Sequence, residues 1–502
     1  MEQLTGIDSY MLHSERGNVY NHIAGLGIYD PSTAPAGAVR FRDILAHFGA
    51  RLSLHRLFRR TLVTAPFGID RPYWLDVPDV DVEFHVRHIA LPAPGDWRQL
   101  MIQVARLHSR PLDRSRPLWE VYVIEGLDRI PGLPPGAFAV YQRYHHASVD
   151  GQSAGALICA LHSTDASASQ PTNRDVVYVD RKTGPVSMYA SAIANTVRRT
   201  ADLSTLSVKT AGRVAKVKVA DLVKNAVGGG DAAAALPGFA RAPQTRFNAK
   251  VSAHRVVDVA GLPMSDIARI REALPGTTVN DIFLGTVGGA LHHYLKSKGE
   301  LPEQSLVALM PMSLRKEIRA GAAAGNDVGG VPVAIHSEIA DPIARLAACR
   351  ADSAKAKAGA EVMGRDLLKG VLEGLPHAAA DAFMRHFVFA QLNTTVSNVR
   401  GPETPLFLAG ARLVQFYPVS IATDYVGLNH TGFSYNGVLG IMAVACRDML
   451  PDPAFYAECM RKSFAELLEA ATRARAKPPK TLRAAKRVSP PNKRRAAAAH
   501  AR

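Results

Sequence analysis

Tyr144-His145-His146-Ala147-Ser148-Val149-Asp150-Gly151 is the stretch whose reading decides the fold. It follows a strand-like run, Ala137–Tyr144, and precedes a small-residue helical run, Gln152–Leu161. Strand side chains alternate between faces, so His145 and His146 are expected on opposite sides if the strand persists. Only one can then face a reaction centre, while the other holds the backbone. Asp150, a short carboxylate in a tight turn, is expected to bond backbone or pair with an arginine rather than act as a second base. Gly151 can take the positive φ that lets the chain turn into the helix. A strand end that fixes an imidazole beside a turn carboxylate suits acid–base chemistry.

Outward from this point the chain reads as two α/β units. In residues 1–165, Trp119–Ile124 and Phe138–Tyr144 are strand-like, and Pro131 to Gly136 mark the loop between them. Asp96–Leu112 has the apolar spacing of a helix through Leu100, Val104 and Leu107. Residues 166–250 break the pattern. Within them 187–227 interleaves Ile193, Val197, Leu203, Leu206, Val214 and Leu222 with Arg198, Arg199, Arg213, Lys216 and other cations. That composition fits an amphipathic stretch on a lipid surface or a solvated crossover packed on the body. Residues 251–475 form the second unit, with strands at Val256–Val259, Ser305–Met310, Asn393–Val399 and Val438–Ala445. Helices are predicted at Asn280–Leu295, with Asn280 as its N-cap, and at Pro453–Ala471. The tail, 476–502, with its Pro-Pro pairs and alanine run, is expected to be disordered.

The chain has 502 residues, 47% of them hydrophobic, enough for more than one core. Its net charge of +16 is localised. Residues 473–502 hold eleven Lys/Arg and no acid, and 187–230 hold seven Lys/Arg against Asp202 and Asp221. These contribute 11 and 5, so the remainder is balanced. A broad nucleic-acid face is thereby excluded, and local attraction to an anionic surface is favoured. No apolar stretch is long enough to span a membrane, and the first residues lack the pattern of a signal peptide. The four cysteines show no metal-ligand spacing and read as reduced cytosolic thiols. Neither a glycine-rich phosphate loop nor a GxSxG elbow is present. The pair His292-His293, within a predicted helix, reads as structural.

The octapeptide carries HHxxxDG, the signature of condensation-type acyltransferases, and six further elements narrow the resemblance. Arg116-Pro117-Leu118-Trp119-Glu120 resembles the PLW element of the wax ester synthase/diacylglycerol acyltransferases. Val279-Asn280-Asp281-Ile282-Phe283-Leu284 resembles that family's ND element, and Pro311-Met312-Ser313-Leu314-Arg315 its PxSxR element. Ser397-Asn398-Val399-Arg400-Gly401-Pro402 is similar to SNxxGP, and Ser434-Tyr435-Asn436-Gly437 to SYxG. Asp8-Ser9-Tyr10-Met11-Leu12 is similar to the family's opening. The elements keep the family's order from about residue 8 to about 452. Arg400 departs from the usual small or apolar residue.

The resemblance implies an α/β fold of two chloramphenicol-acetyltransferase-like domains flanking a central tunnel and joined by a crossover linker with helical segments. It implies transfer of a long-chain acyl group from acyl-CoA, a co-substrate, to diacylglycerol or a long-chain alcohol, with no cofactor and no metal. His146 is then the general base, with an ordinary pKa near ~6.5. His145 and Asp150 complete the catalytic set, Asp150 holding the loop through Arg315 or Arg143, and Gly151, Asn280, Asp281 and Arg315 support the site, the last three from the second domain. The expected location is cytoplasmic, peripheral to the inner membrane face or a lipid body. Two other readings share features of the chain. A condensation domain of an assembly line would normally carry a DFGWG-like loop and adjoining carrier domains, and neither is visible. A non-enzymatic lipid-surface protein would not need an intact HHxxxDG.

Overall fold

The computed structural model describes residues 1–64, 70–149, 151–167, 184, 186–199, 201, 241–313, 328–363 and 367–476. Two six-stranded mixed sheets carry the fold. The first runs β12 (Phe407–Leu408), β13 (Ala411–Val419), β2 (His22–Asp30), β7 (Phe138–His145), β6 (Trp119–Glu125), β5 (Val86–Ala90). The second runs β10 (Val328–Ala334), β9 (Val307–Ser313), β11 (Thr394–Arg400), β14 (Leu428–Tyr435), β15 (Val438–Cys446), β8 (Arg255–Pro263). A small sheet, β1 (Glu2–Gln3), β4 (Tyr73–Asp76), β3 (Arg60–Val63), lies beside the N-terminus. The six strands predicted from the sequence coincide with β6, β7, β8, β9, β11 and β15, while β2, β5, β10, β13 and β14 are not among those predictions. β7 is buried along its whole length, because both of its faces are covered.

The second half of the chain completes the first sheet. β13 runs antiparallel to β2, from Arg412 opposite Asp30 to Val419 opposite Ala24. Residues 241–250 already belong with the second core: Phe247 is fully buried in it, and Asn248 Nδ2 donates to the carbonyls of Leu392 and Tyr425. That core surrounds the helix Val279–Ser297 through Ile282, Phe283, Val287, Leu291 and Tyr294. The helix Trp97–His108 joins the two sheets. Its Leu100, Val104 and Leu107 share a cluster with Ile28 and Ile124 of the first sheet and Val257 and Val444 of the second.

Two helix boundaries differ from the sequence reading. The N-cap of Val279–Ser297 is Thr278, not Asn280. Thr278 Oγ1 accepts from the Asp281 N–H while Asp281 Oδ2 accepts from the Thr278 N–H at 2.9 Å, a reciprocal capping box that Asn280 lacks. The helix begun at Asp96 ends at His108 rather than Leu112. Pro111 disfavours helical backbone at the residue before it, and Ser109 caps the end. The second histidine pair is structural: His292 bonds the Ser337 carbonyl and His293 bonds Glu466.

Candidate active site

β7 sorts its side chains by alternation. Tyr141, Arg143 and His145 face one way, while Gln142 and Tyr144 face a cavity that His146, one residue past the strand, also lines. The backbone N–H of His146 donates to the Asn21 carbonyl at 2.7 Å, which extends the β2–β7 pairing into the turn. His146 is half-buried.

His145 lies behind this surface, 1% exposed. Its Nδ1 accepts from the Ala147 N–H at 3.0 Å, so the proton sits on Nε2. Nε2 stands 3.2 Å from Glu15 Oε1, off the line of a well-formed hydrogen bond. Glu15 Oε1 also accepts from the Asn21 N–H at 2.6 Å, and Oε2 accepts from Arg114 at 2.7 Å. Burial pushes the Glu15 carboxyl up, but His145, Arg114 and the Asn21 N–H together hold it below its usual range. Glu15 and Asn21 thus brace the histidine pair from a loop some 130 residues upstream (145 − 15). Sequence reasoning missed both, since nothing local marks a glutamate whose partner is so distant.

The other predicted site residues divide sharply. Asp150 and Arg315 lie outside the described residues, and Gly151 opens the helix Gly151–Leu161. Arg143 does not stand free for Asp150. It is 2% exposed and bonds Glu120 at 2.6 Å and the carbonyls of Leu107 and Arg110. Asn280 and Asp281 do not line the cavity: Asn280 Nδ2 rests on Met310 Sδ at 3.0 Å, and Asp281 is spent on the cap. Their support is to the second core. Ser148 Oγ donates to the His145 carbonyl at 2.7 Å and is likewise a turn element.

The cavity holds about 110 Å³ and is shared between the halves. Ile23, Gln142, Tyr144, His146, Leu157 and Ile158 line it from the first half, and Ser397, Val399, Phe416, Ser420, Thr431 and Phe433 from the second. The lining is largely apolar; its polar groups are the His146 imidazole, the Gln142 carboxamide, whose Oε1 accepts from the Tyr144 hydroxyl at 2.7 Å, and the hydroxyls of Ser397, Ser420 and Thr431. Gly25 on β2 makes room for Phe416: a Cβ there would sit 2.4 Å from its ring. A more open hollow of about 180 Å³, around His47 and Arg51, contains neither His145 nor His146.

A histidine at the end of a central strand, facing an apolar cavity between two sheets, is joined by a match along most of the chain. The model of the wax ester synthase/diacylglycerol acyltransferase catalytic domain matches residues 4–283, and that of the family's C-terminal domain matches 324–468. The chain belongs to the wax ester synthase/diacylglycerol acyltransferase family. It is an acyltransferase. Relatives in this family include two Mycobacterium tuberculosis proteins provisionally named as diacylglycerol O-acyltransferases. One is 31% identical over 93% of this chain and 90% of its own length; the other, tgs2, is 32% identical over 90% and 95%. The solved wax ester synthase/diacylglycerol acyltransferase from Marinobacter aquaeolei VT8 is 25% identical, with a TM-score of 0.66 over 94% of this chain and 100% of that one. The first condensation domain of the CDA synthetase shares the fold at 14% identity, with a TM-score of 0.54 over 95% and 97%.

Most of the family's motif residues build scaffold. Trp119 of the PLW element is buried and donates to the Phe58 carbonyl at 3.1 Å. Tyr435 of SYxG accepts from the Leu406 N–H and donates to the Leu413 carbonyl, tying β14 to β13. Asn436 and Gly437, both at positive φ, make the turn into β15. Arg400, the departure from SNxxGP, is exposed and pairs with Glu403. His146 and Ser397 are the motif residues that reach the cavity together.

Proposed function

We propose that this acyltransferase moves a long-chain acyl group from acyl-CoA to the hydroxyl of diacylglycerol or of a long-chain alcohol, with His146 as general base. The observation that carries this reading is the placement of His146 on an apolar cavity lined by both halves of the chain. A lipid hydroxyl is a poor nucleophile near neutral pH. The His146 imidazole, which lines the cavity, can take that hydroxyl's proton as the oxygen attacks the thioester carbonyl. The CoA thiol, with a pKa of about 8.5, leaves with less assistance. The names of the mycobacterial relatives favour diacylglycerol as acceptor, and the Marinobacter relative's name keeps the fatty alcohol in play.

Water-insoluble acceptors call for contact with a lipid surface, and the helix over 186–199 supplies a candidate. Met188 and Ala192 are buried, and Asn195 and Arg199 bond Asp70. Val186, Ile193 and Val197 point the other way, 83%, 69% and 67% exposed. The first face docks the helix on the body, and the second is free to dip into a lipid interface. The rest of 187–227 and the basic tail lie outside the described residues. No helix among the described residues is long and apolar enough to cross a membrane.

The test is a lipid extract from cells overproducing the chain, set beside a His146→Ala control, with labelled acyl-CoA supplied to the purified protein. New triacylglycerol or wax ester in the first and not in the second supports the proposal. Equal product in both overturns it.

A further inference from the structure

The base accounts for one of the two charges that develop during acyl transfer; the other builds on the thioester carbonyl oxygen. We propose that the Ser420 hydroxyl is the donor to that oxygen, held in place by Asn429 and His108. This rests on the reading of His146 as the base in the same cavity.

Three hydroxyls of the second half line the cavity: Ser397, Ser420 and Thr431. Thr431 is spent, since its Oγ1 donates to Asn429 Oδ1 at 2.8 Å. That bond turns the Asn429 amide so that its Nδ2 donates to Ser420 Oγ at 3.4 Å. A serine oxygen that accepts there keeps its own proton for another partner. The backbone of Ser420 is fixed as well. His108 Nε2 donates to its carbonyl at 2.9 Å, while His108 Nδ1 accepts from the Tyr141 hydroxyl at 2.8 Å. Each ring nitrogen thereby has a defined role, and burial keeps the imidazole neutral. Among the described residues no hydrogen bond orients Ser397 in this way.

The register puts Ser420 on the correct side. Val419 lies opposite Ala24 and Ala24 opposite Arg143, so Ser420 adjoins the row formed by Ile23 and Tyr144. His146 lies two residues beyond Tyr144. Two strand spacings of about 4.8 Å and one two-residue repeat of about 6.8 Å separate the two backbones by roughly 12 Å. An imidazole and a hydroxyl reaching inward across that span leave room for a carbonyl group between them. A donor fixed before the reaction stabilises developing charge without reorganising, which is what such a site requires.

The step then closes. The acceptor O–H bond breaks, its proton passes to His146, and the new C–O bond forms. The carbonyl π pair moves onto oxygen, where the Ser420 O–H donates. The pair returns, the C–S bond breaks, and the CoA thiolate leaves and takes the proton from His146.

Purified Ser420→Ala is expected to lose about 10²–10³-fold in kcat. Its KM for acyl-CoA should stay within about twofold, because the interaction exists only in the transition state. Ser420→Thr, which keeps a hydroxyl, should recover most of the loss. Asn429→Ala should lower kcat, and the double variant should be no worse than Ser420→Ala, since Asn429 acts through Ser420. Circular dichroism and the melting midpoint, unchanged in Ser420→Ala, keep folding out of the comparison. Retention of more than about a tenth of wild-type kcat by folded Ser420→Ala overturns the assignment. So does transfer of the full loss to Ser397→Ala. His146→Ala, run in parallel, separates the two readings: if it is silent while Ser420→Ala is active, only the oxyanion assignment falls. If His146→Ala is itself active, the base falls first.

Discussion

At the scale of single residues, chemistry and support sit on opposite faces of one strand. His146 faces the cavity and His145 faces Glu15, so substitutions at these adjacent positions should differ in kind. His146→Ala is expected to cost ~10²–10⁴ in kcat with an unchanged melting midpoint, the usual worth of a general base. A folded variant that keeps more than about a tenth of the activity would assign the base elsewhere. Glu15→Gln keeps the shape but removes the charge that Arg114, the Asn21 N–H and His145 share. It should lower stability by about 1–3 kcal/mol and disturb His146 only through Asn21. Urea titration together with kcat at saturating substrate separates these effects: a loss of activity with no loss of stability would mean that Glu15 does more than brace the turn.

At the scale of elements, the capping box at Thr278 gives a purely structural prediction. Thr278→Ala removes the acceptor for the Asp281 N–H and should lower stability by about 1 kcal/mol while leaving kcat unchanged, read by chemical denaturation and turnover. If kcat falls with it, the ND element has a role in the reaction that its distance from the cavity does not suggest. The helix over 186–199 carries a second prediction. With its docked face on Asp70 and its apolar face outward, the protein should sediment with anionic vesicles at low salt, and Ile193→Asp with Val197→Asp should weaken that binding. Equal binding by the variant would leave this helix a plain crossover. Strands β6, β7, β8, β9, β11 and β15, the helix after HHxxxDG and the alternation of the two histidines were legible because periodicity and turn residues are local signals. Thr278 as cap was misread because Asn280 has the same propensity, and only the reciprocal bond separates them. Glu15, Asn21, Phe416 and Ser420 were not legible. Each owes its place to a partner reached through the fold rather than along the chain.

At the scale of the whole molecule, buried histidines link stability to pH. His22, His108 and His430 lie fully buried, and burial lowers each imidazole; for His108 and His430 the value falls to about 3. An unfolded histidine titrates near ~6.5. Between about pH 3 and 6.5 the unfolded chain therefore binds protons that the native one does not, and stability falls as pH falls. The urea midpoint should drop steadily from pH 7 to pH 5, and a flat midpoint would show that these rings charge without unfolding. The pairing of β13 with β2 bears on how the protein is made. β7 ends at His145 and β12 begins at Phe407, a gap of about 260 residues, or roughly ten seconds to a minute of translation at ~5–20 residues per second. Throughout that interval the nascent first sheet has an unpaired β2 edge, open to association with other chains. Ribosome-bound chains halted before residue 407 should therefore recruit holding chaperones that chains halted well beyond Val419 release.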